Sequence, residues 1–250
     1  MRLIIITVES FFEREAEAIN MLFDNGLELL HIRKPHSTTN EMRNFIELID
    51  RKFHNMIVVH DNYELTKTFD LKGVHLNRRN KGMYNKDAFS PYKRASDSLS
   101  SDLLQEALSS TTLPYPALSS EALLLDAQSA ALQKERLSVS ISCHSFEEVI
   151  ESRHFCDYLF FSPVFDSISK PGYEHGFTHE QLNNARDKGI IDERVVALGG
   201  ITIEQIPLIR EYGFGGIAIL GALWNRFFDE KDLEKLWIRF KDCLNLSKEL

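Results

Sequence analysis

Side chains that can do chemistry gather at the ends of short apolar runs. They are His31-Ile32-Arg33-Lys34, His60-Asp61-Asn62, His75 with Asn77, Ser142-Cys143-His144-Ser145, and Ser162-Pro163 followed by Ser169-Lys170. His31 and Arg33 stand two apart, so on a strand they share a face. A buried Arg needs an anionic partner: either Asp61, or a bound phosphate or diphosphate gripped by the planar fork. His144 lies between an apolar run and the pattern Ser145-x-x-Glu148. An imidazole held there can take and return a proton; the alternative is a helix-start residue facing water. His75 lies mid-run and reads as a core residue. His36, His54, His154 and His175 read as loop or helix-surface residues. His31, His60, Asp61 and His75 could together hold a transition metal. The paired first-strand histidines of barrel hydrolases are missing, however, and that reading is set aside.

Two turns form the strongest local signal: Ala197-Leu198-Gly199-Gly200-Ile201 and Ala218-Ile219-Leu220-Gly221-Ala222. Glycine lets backbone N–H groups approach an anion without a Cβ clash, and a helix start adds positive potential. Gly199, Gly200 and Gly221 are therefore expected to bind phosphate. The alternative is tight turn geometry alone. No Ser-His-Asp order, Walker motif or Cys₂His₂ spacing is present.

The elements that must hold these residues are legible too. Strand-length apolar runs occur at Leu3–Thr7, Leu29–Ile32, Met56–Val59, Gly73–Leu76, Ser138–Ser142, Tyr158–Ser162, Val195–Leu198 and Gly216–Leu220. Most lack alternation, as strands buried on both faces do. Capping-box patterns follow five of them: Ser10-x-x-Glu13, Thr38-x-x-Glu41, Ser145-x-x-Glu148, Thr178-x-x-Gln181 and Thr202-x-x-Gln205. Helical spacing follows, in Phe12, Ala16, Ile19 and Phe23, then Met42, Phe45, Ile46 and Ile49, then Ile206, Ile209 and Tyr212. Eight strands with intervening helices predict an α/β fold, a single (β/α)8 TIM-barrel domain over 1–250. A doubly wound open sheet is second, since no G-x-G-x-x-G follows the first strand. Asp229–Leu246 reads as a closing helix. The Ser-rich stretch Asn77–Leu137, about 60 residues long, exceeds what a normal connection needs. It is read as an insertion over about 81–137, either a plain surface loop or a lid over the mouth.

Composition narrows the function classes. The chain has 250 residues, 43% of them hydrophobic, enough for a real core. A net charge of −8 argues against a general nucleic-acid binder. Three cysteines without CxxC spacing point to a reducing compartment. The N-terminal MRLIIITVES lacks signal-peptide features, and no apolar run nears the ~18–20 residues that span a bilayer. A soluble cytoplasmic protein is expected. Its partner is a small phosphorylated substrate rather than nucleic acid or a membrane, with homo-oligomerisation left open.

The stretches LLHIRK, IVVHDN, GVHL, SISCHSFEEV, YLFFSPVFDSISK, VVALGGI and GGIAILGAL, in that order, resemble the thiamine phosphate synthase superfamily, which includes the TenI group of thiazole tautomerases. The likeness covers Arg2–Asn80 and Ser138–Phe227. It implies the same barrel. It implies that Arg33 and Lys170 bind a pyrimidine diphosphate, that Asp61 helps hold Mg2+, that Ser142 contacts substrate, and that Gly200 and Gly221 cradle a thiazole phosphate. His31 and His60 stand where synthases usually carry Gln and Asn. Lys34-Pro35 and Asn77-Arg78-Arg79-Asn80 replace an acid–Lys pair and a Gly-Gln-acid-Asp run. Lys34, Arg78 and Arg79 are candidates for the lost cation, and Asp87 is a remote candidate for the lost carboxylate. His-Ile-Arg and Cys-His-Ser-Phe-Glu-Glu look closer to the TenI group, in which His144 would be acid and base and no cofactor is needed. The expected activity is therefore a thiazole tautomerase-type isomerase. The alternative is a Mg2+-dependent synthase, and beyond that a non-catalytic ligand-binding or regulatory barrel.

Overall fold

The computed structural model describes residues 1–77, 137–165 and 176–249. The chain divides into two units, Met1–Arg78 with Ser138–Leu250, and Arg79–Leu137. The second corresponds to the expected insertion and, apart from Leu137, lies outside the described residues, as do Arg78, Arg79 and Asp87.

Eight parallel strands close into a barrel in sequence order. They are β1 (Arg2–Ile6), β2 (Leu29–Ile32), β3 (Ile57–Val59), β4 (Gly73–Leu76), β5 (Ser138–Cys143), β6 (Tyr158–Phe161), β7 (Val195–Leu198) and β8 (Gly216–Ile219). Closure comes from β1 pairing with β8, Leu3 opposite Ile217. The described helices are α1 (Glu15–Asp24), α2 (Thr39–Glu47), α3 (Leu65–Phe69), α4 (Phe146–Ser152), α5 (His179–Asp187), α6 (Ile206–Glu211), α7 (Gly221–Glu230) and α8 (Leu233–Lys248). The insertion falls between β4 and β5, so the fold matches the sequence expectation and the open sheet is excluded.

Burial on both strand faces explains the missing alternation: β2, β4, β6 and β8 are buried at every residue. Ile4, Ile6, Leu29, Val58, Tyr158, Phe160, Val196 and Ala218 form one core cluster. Outside, α8 buries Leu236 and Phe240, as a closing helix should. Among the described residues, no helix is long and apolar enough to cross a membrane.

The capping boxes at Thr38/Glu41 and Thr178/Gln181 form completely. At Ser145 the hydroxyl accepts from Glu148 N–H, but the Glu148 carboxylate reaches further back, to the N–H of His144 at 2.6 Å. The Ser10/Glu13 pattern is not a cap. Helix α1 starts at Glu15 behind Arg14, with no side-chain cap. The Ser10 carbonyl instead accepts from Lys34 Nζ at 2.9 Å.

Candidate active site

Strand β2 sends successive residues to very different places. His31, fully buried inside the barrel, packs on Phe160 with ring centroids 4.7 Å apart. Its Nδ1 lies 3.0 Å from His60 Nε2, and its Nε2 lies 2.7 Å from the Tyr158 hydroxyl. His75 Nδ1 and Nε2 each lie 2.8 Å from a serine, Ser140 and Ser142 respectively. Burial pushes His75 down to about 3 and holds His31 well below the ordinary imidazole range, with Arg33 and His75 respectively adding to the effect. Both rings are therefore neutral at pH 7. The sequence placed His75 in the core correctly; it offered no sign of Tyr158 or Ser140 as partners. Strand register supplies that sign, since His75 faces Ser140 and Ser140 faces Tyr158.

Arg33 sits just past β2, partly exposed. Its Nη1 pairs with Glu9 Oε1 at 2.6 Å, so the alternative of an Asp61 partner does not hold. Its backbone N–H donates to Thr7 Oγ1 at 2.9 Å, which pins the turn. Lys34 cannot replace a substrate-binding cation. It is fully buried, with Glu15 Oε1 and Oε2 at 2.7 and 2.8 Å and the Val8 and Ser10 carbonyls each at 2.9 Å. Phe11 and Phe45 flank the ammonium. Burial pushes Glu15 up to about 7 against the pull of Lys34. Asp61 is half-buried beyond β3. The next residue, Asn62, is left-handed and accepts from Thr39 Oγ1 at 2.9 Å. His54, expected at a surface, is buried with its ring nitrogens on the Ile49 and Phe69 carbonyls. His36 and His154 are exposed, as expected. His175 and Lys170 lie outside the described residues.

The other rim is built by β5 to β8. His144 is exposed, and its Nδ1 lies 2.8 Å from the Ser162 carbonyl. A carbonyl only accepts, so in this contact Nδ1 carries a hydrogen, which fixes the ring on the loop. The Ser162 N–H in turn donates to Cys143 O at 3.0 Å. Three residues on, Phe165 N–H donates to Gly199 O at 3.2 Å, so one loop braces both His144 and the β7 turn.

Gly199 and Gly200 are both left-handed, at φ 92° and 67°. A Cβ on Gly199 would lie 2.9 Å from Pro163, so packing alone accounts for this glycine. The turn leads first into a short 3₁₀ segment, Ile203–Gln205, where Gln205 Oε1 takes the Thr202 N–H at 2.8 Å. The β8 turn differs: α7 begins directly at Gly221, behind Leu220, with no side-chain cap. Backbone N–H groups at such a start suit a phosphate. Parallel (β/α)8 enzymes that hold phosphate after strands seven and eight are built this way.

Comparison with known proteins refines that class. A family model described as thiamine monophosphate synthase matches residues 123–223. Over 99% of its length the chain is 31% identical to a solved thiamine phosphate pyrophosphorylase from Bacteroides thetaiotaomicron, covering 98% of that chain at a TM-score of 0.70. The chain therefore belongs to the thiamine phosphate synthase superfamily. A thiamine phosphate pyrophosphorylase from Pyrococcus furiosus, at 20% identity and a TM-score of 0.57, shares the fold. Among curated proteins, the thiamine-phosphate synthase of Helicobacter pylori (strain ATCC 700392 / 26695) is 34% identical over 94 residues, 37% of this chain and 41% of that protein. That of Limosilactobacillus reuteri is 32% identical over 101 residues, 39% and 44% respectively. The chain thus matches less than half the length of these curated relatives.

Proposed function

We propose that this barrel works in thiamin biosynthesis on a thiazole phosphate. Its reaction is that of a thiamine-phosphate synthase, which joins the thiazole phosphate to hydroxymethylpyrimidine diphosphate and releases diphosphate. The near full-length likeness to a thiamine phosphate pyrophosphorylase carries this reading, and the synthase names of the curated relatives support it. The thiazole phosphate would sit on the backbone of Gly200 and the α7 start at Gly221. Arg33 would exchange Glu9 for the diphosphate, since a half-exposed ion pair is worth little. Lys170 would be the second cation and Ser142 a substrate contact.

For magnesium, Asp61 offers one half-buried carboxylate. That donor set suits an ion completed by substrate phosphates, with Asp61 holding it. When bound it would supply charge neutralisation for the diphosphate.

His144 supports a second reading. An exposed imidazole anchored through Nδ1 on the Ser162 carbonyl suits a thiazole tautomerase, which needs one imidazole and a phosphate anchor without a metal. One experiment separates these. The protein is incubated with pyrimidine diphosphate, thiazole phosphate and Mg2+, and separately with the thiazole carboxylate phosphate tautomer. Thiamine phosphate in the first supports the synthase. Isomerisation in the second alone moves the assignment to the tautomerase. Neither product, with the ligands bound, overturns both in favour of a non-catalytic barrel.

A further inference from the structure

Two charged pairs stand side by side where β1 and β2 leave the barrel. One is fully buried: Lys34 Nζ lies 2.7 and 2.8 Å from the two Glu15 carboxylate oxygens, and neither side chain is exposed. The other is open to water: Arg33 Nη1 lies 2.6 Å from Glu9 Oε1, with the side chains 31% and 54% exposed. The backbone joins the two pairs. Lys34 Nζ also lies 2.9 Å from the Val8 carbonyl and 2.9 Å from the Ser10 carbonyl, and these residues stand on either side of Glu9.

We propose that Lys34 is a positioning residue, whose buried ammonium holds the carbonyls of Val8 and Ser10 and so presents Glu9 to Arg33 as a resident counter-ion that the diphosphate must displace. This rests on the reading of Arg33 as a diphosphate-binding residue.

Packing alone does not call for a buried ion pair here. Taking two charges out of water is costly, and apolar side chains of similar volume often hold a fold as well. An ammonium differs in donating to several acceptors in several directions at once. Here its three hydrogens serve two Glu15 oxygens and one carbonyl on each side of Glu9. Thr7 fixes the same segment from its other end. Its N–H donates to the His31 carbonyl at 2.9 Å, and its hydroxyl accepts the Arg33 N–H at 2.9 Å. The chain is thus pinned at Thr7, Val8 and Ser10 against residues 31–34, and Glu9 reaches Arg33 from between these points. Exposed ion pairs are weak partly because two long side chains must be held in one geometry. A backbone fixed on both sides of Glu9 removes part of that cost, so its carboxylate competes for Arg33 better than a free acid would. A diphosphate, with more negative charge than one carboxylate, displaces it.

The test is calorimetric titration of inorganic diphosphate into the full chain at low ionic strength, with circular dichroism to confirm that each variant folds. Glu9→Gln, a surface change, should bind diphosphate about threefold more tightly than wild type, and the gain should shrink at high salt. Arg33→Ala should bind it more weakly. Lys34→Met with Glu15→Leu should raise affinity where Glu9 is present and leave it unchanged in Glu9→Gln. A merely structural effect would change affinity equally in both backgrounds. If the Met and Leu pair does not fold, Lys34→Met with Glu15→Gln takes its place. Glu9→Gln no tighter than wild type, with Arg33→Ala still weakened, overturns the counter-ion and leaves the diphosphate reading standing. An equal change in both backgrounds, or none where Glu9 is present, overturns the positioning role of Lys34. Arg33→Ala binding as wild type does removes the diphosphate role of Arg33, and the proposal falls with it.

Discussion

The two halves of the barrel have treated their polar residues in opposite ways. In β1–β4, nearly every candidate cation or imidazole is used up internally: Lys34 on Glu15, Arg33 on Glu9, His31 on His60 and Tyr158, and His75 on two serines. In β5–β8, Ser140 and Tyr158 complete the buried pairs of the first half, but at the mouth the polar groups stay open: His144 is exposed on the loop before α4 and α7 starts without a side-chain cap. The family model also matches on that side, over 123–223. A phosphate can be held by backbone, which any sequence supplies once the turn is right. A diphosphate needs cations, and the described part of the first half offers only Arg33 with a displaceable partner. The difference predicts a barrel whose thiazole-phosphate side is preformed, and whose diphosphate side depends on Arg33 and on Lys170.

The largest way to break the contrast is to remove Lys34. Lys34→Met leaves Glu15 buried without its cation and should cost about 3–5 kcal/mol in urea unfolding. Lys34→Met with Glu15→Leu should recover most of that. An unchanged midpoint in the single variant would mean that the pair is not buried and that Lys34 is free for substrate.

Acid should act on the same half. His75 is held at about 3 and His31 well below its ordinary value, so the unfolded chain binds more protons than the folded one below about pH 6.5. These two histidines then lower stability as pH drops through that range, by about 1.4 kcal/mol per pH unit each until the folded-state values are reached, while Glu15, pushed up to about 7, offsets one of them, so a net fall remains. Denaturant midpoints from pH 7 to 4.5 give the slope. A flat profile would mean that these rings are not neutral in the core.

Smaller and purely kinetic is the effect expected at His144. His144→Asn should keep the fold and phosphate affinity while tautomerase turnover falls ~10²–10⁴-fold. Unchanged turnover would leave His144 a helix-start residue. Arg33→Ala should instead abolish coupling to the diphosphate and spare isomerisation.

Much of the barrel was legible because its signals are local. Continuous apolar runs marked every strand to within a residue, and Thr38 and Thr178 capped as their spacing required. What failed depended on contacts distant in sequence. Ser10 looked like a cap, but α1 starts only at Glu15, and the Ser10 carbonyl serves Lys34. Lys34 looked available until Glu15, 19 residues away, met it. Arg33 has Glu9 rather than Asp61, because the chain beyond β1 passes next to it. The glycines were partly legible: their type marked the turns, but only the structure separates Gly199, which must avoid Pro163, from Gly200 and Gly221.

The central claim is that the backbone after β7 and β8 holds the phosphate of the substrate. Calorimetric titration of thiazole phosphate into wild type and Gly200→Asp tests it most directly. Aspartate tolerates the left-handed backbone found at Gly200, so the fold should survive, as circular dichroism can verify. Its carboxylate would stand against the phosphate, and the account predicts at least a roughly tenfold loss of affinity, the equivalent of ~1.4 kcal/mol. Equal affinity in a folded Gly200→Asp protein would contradict it and move the phosphate to another part of the barrel.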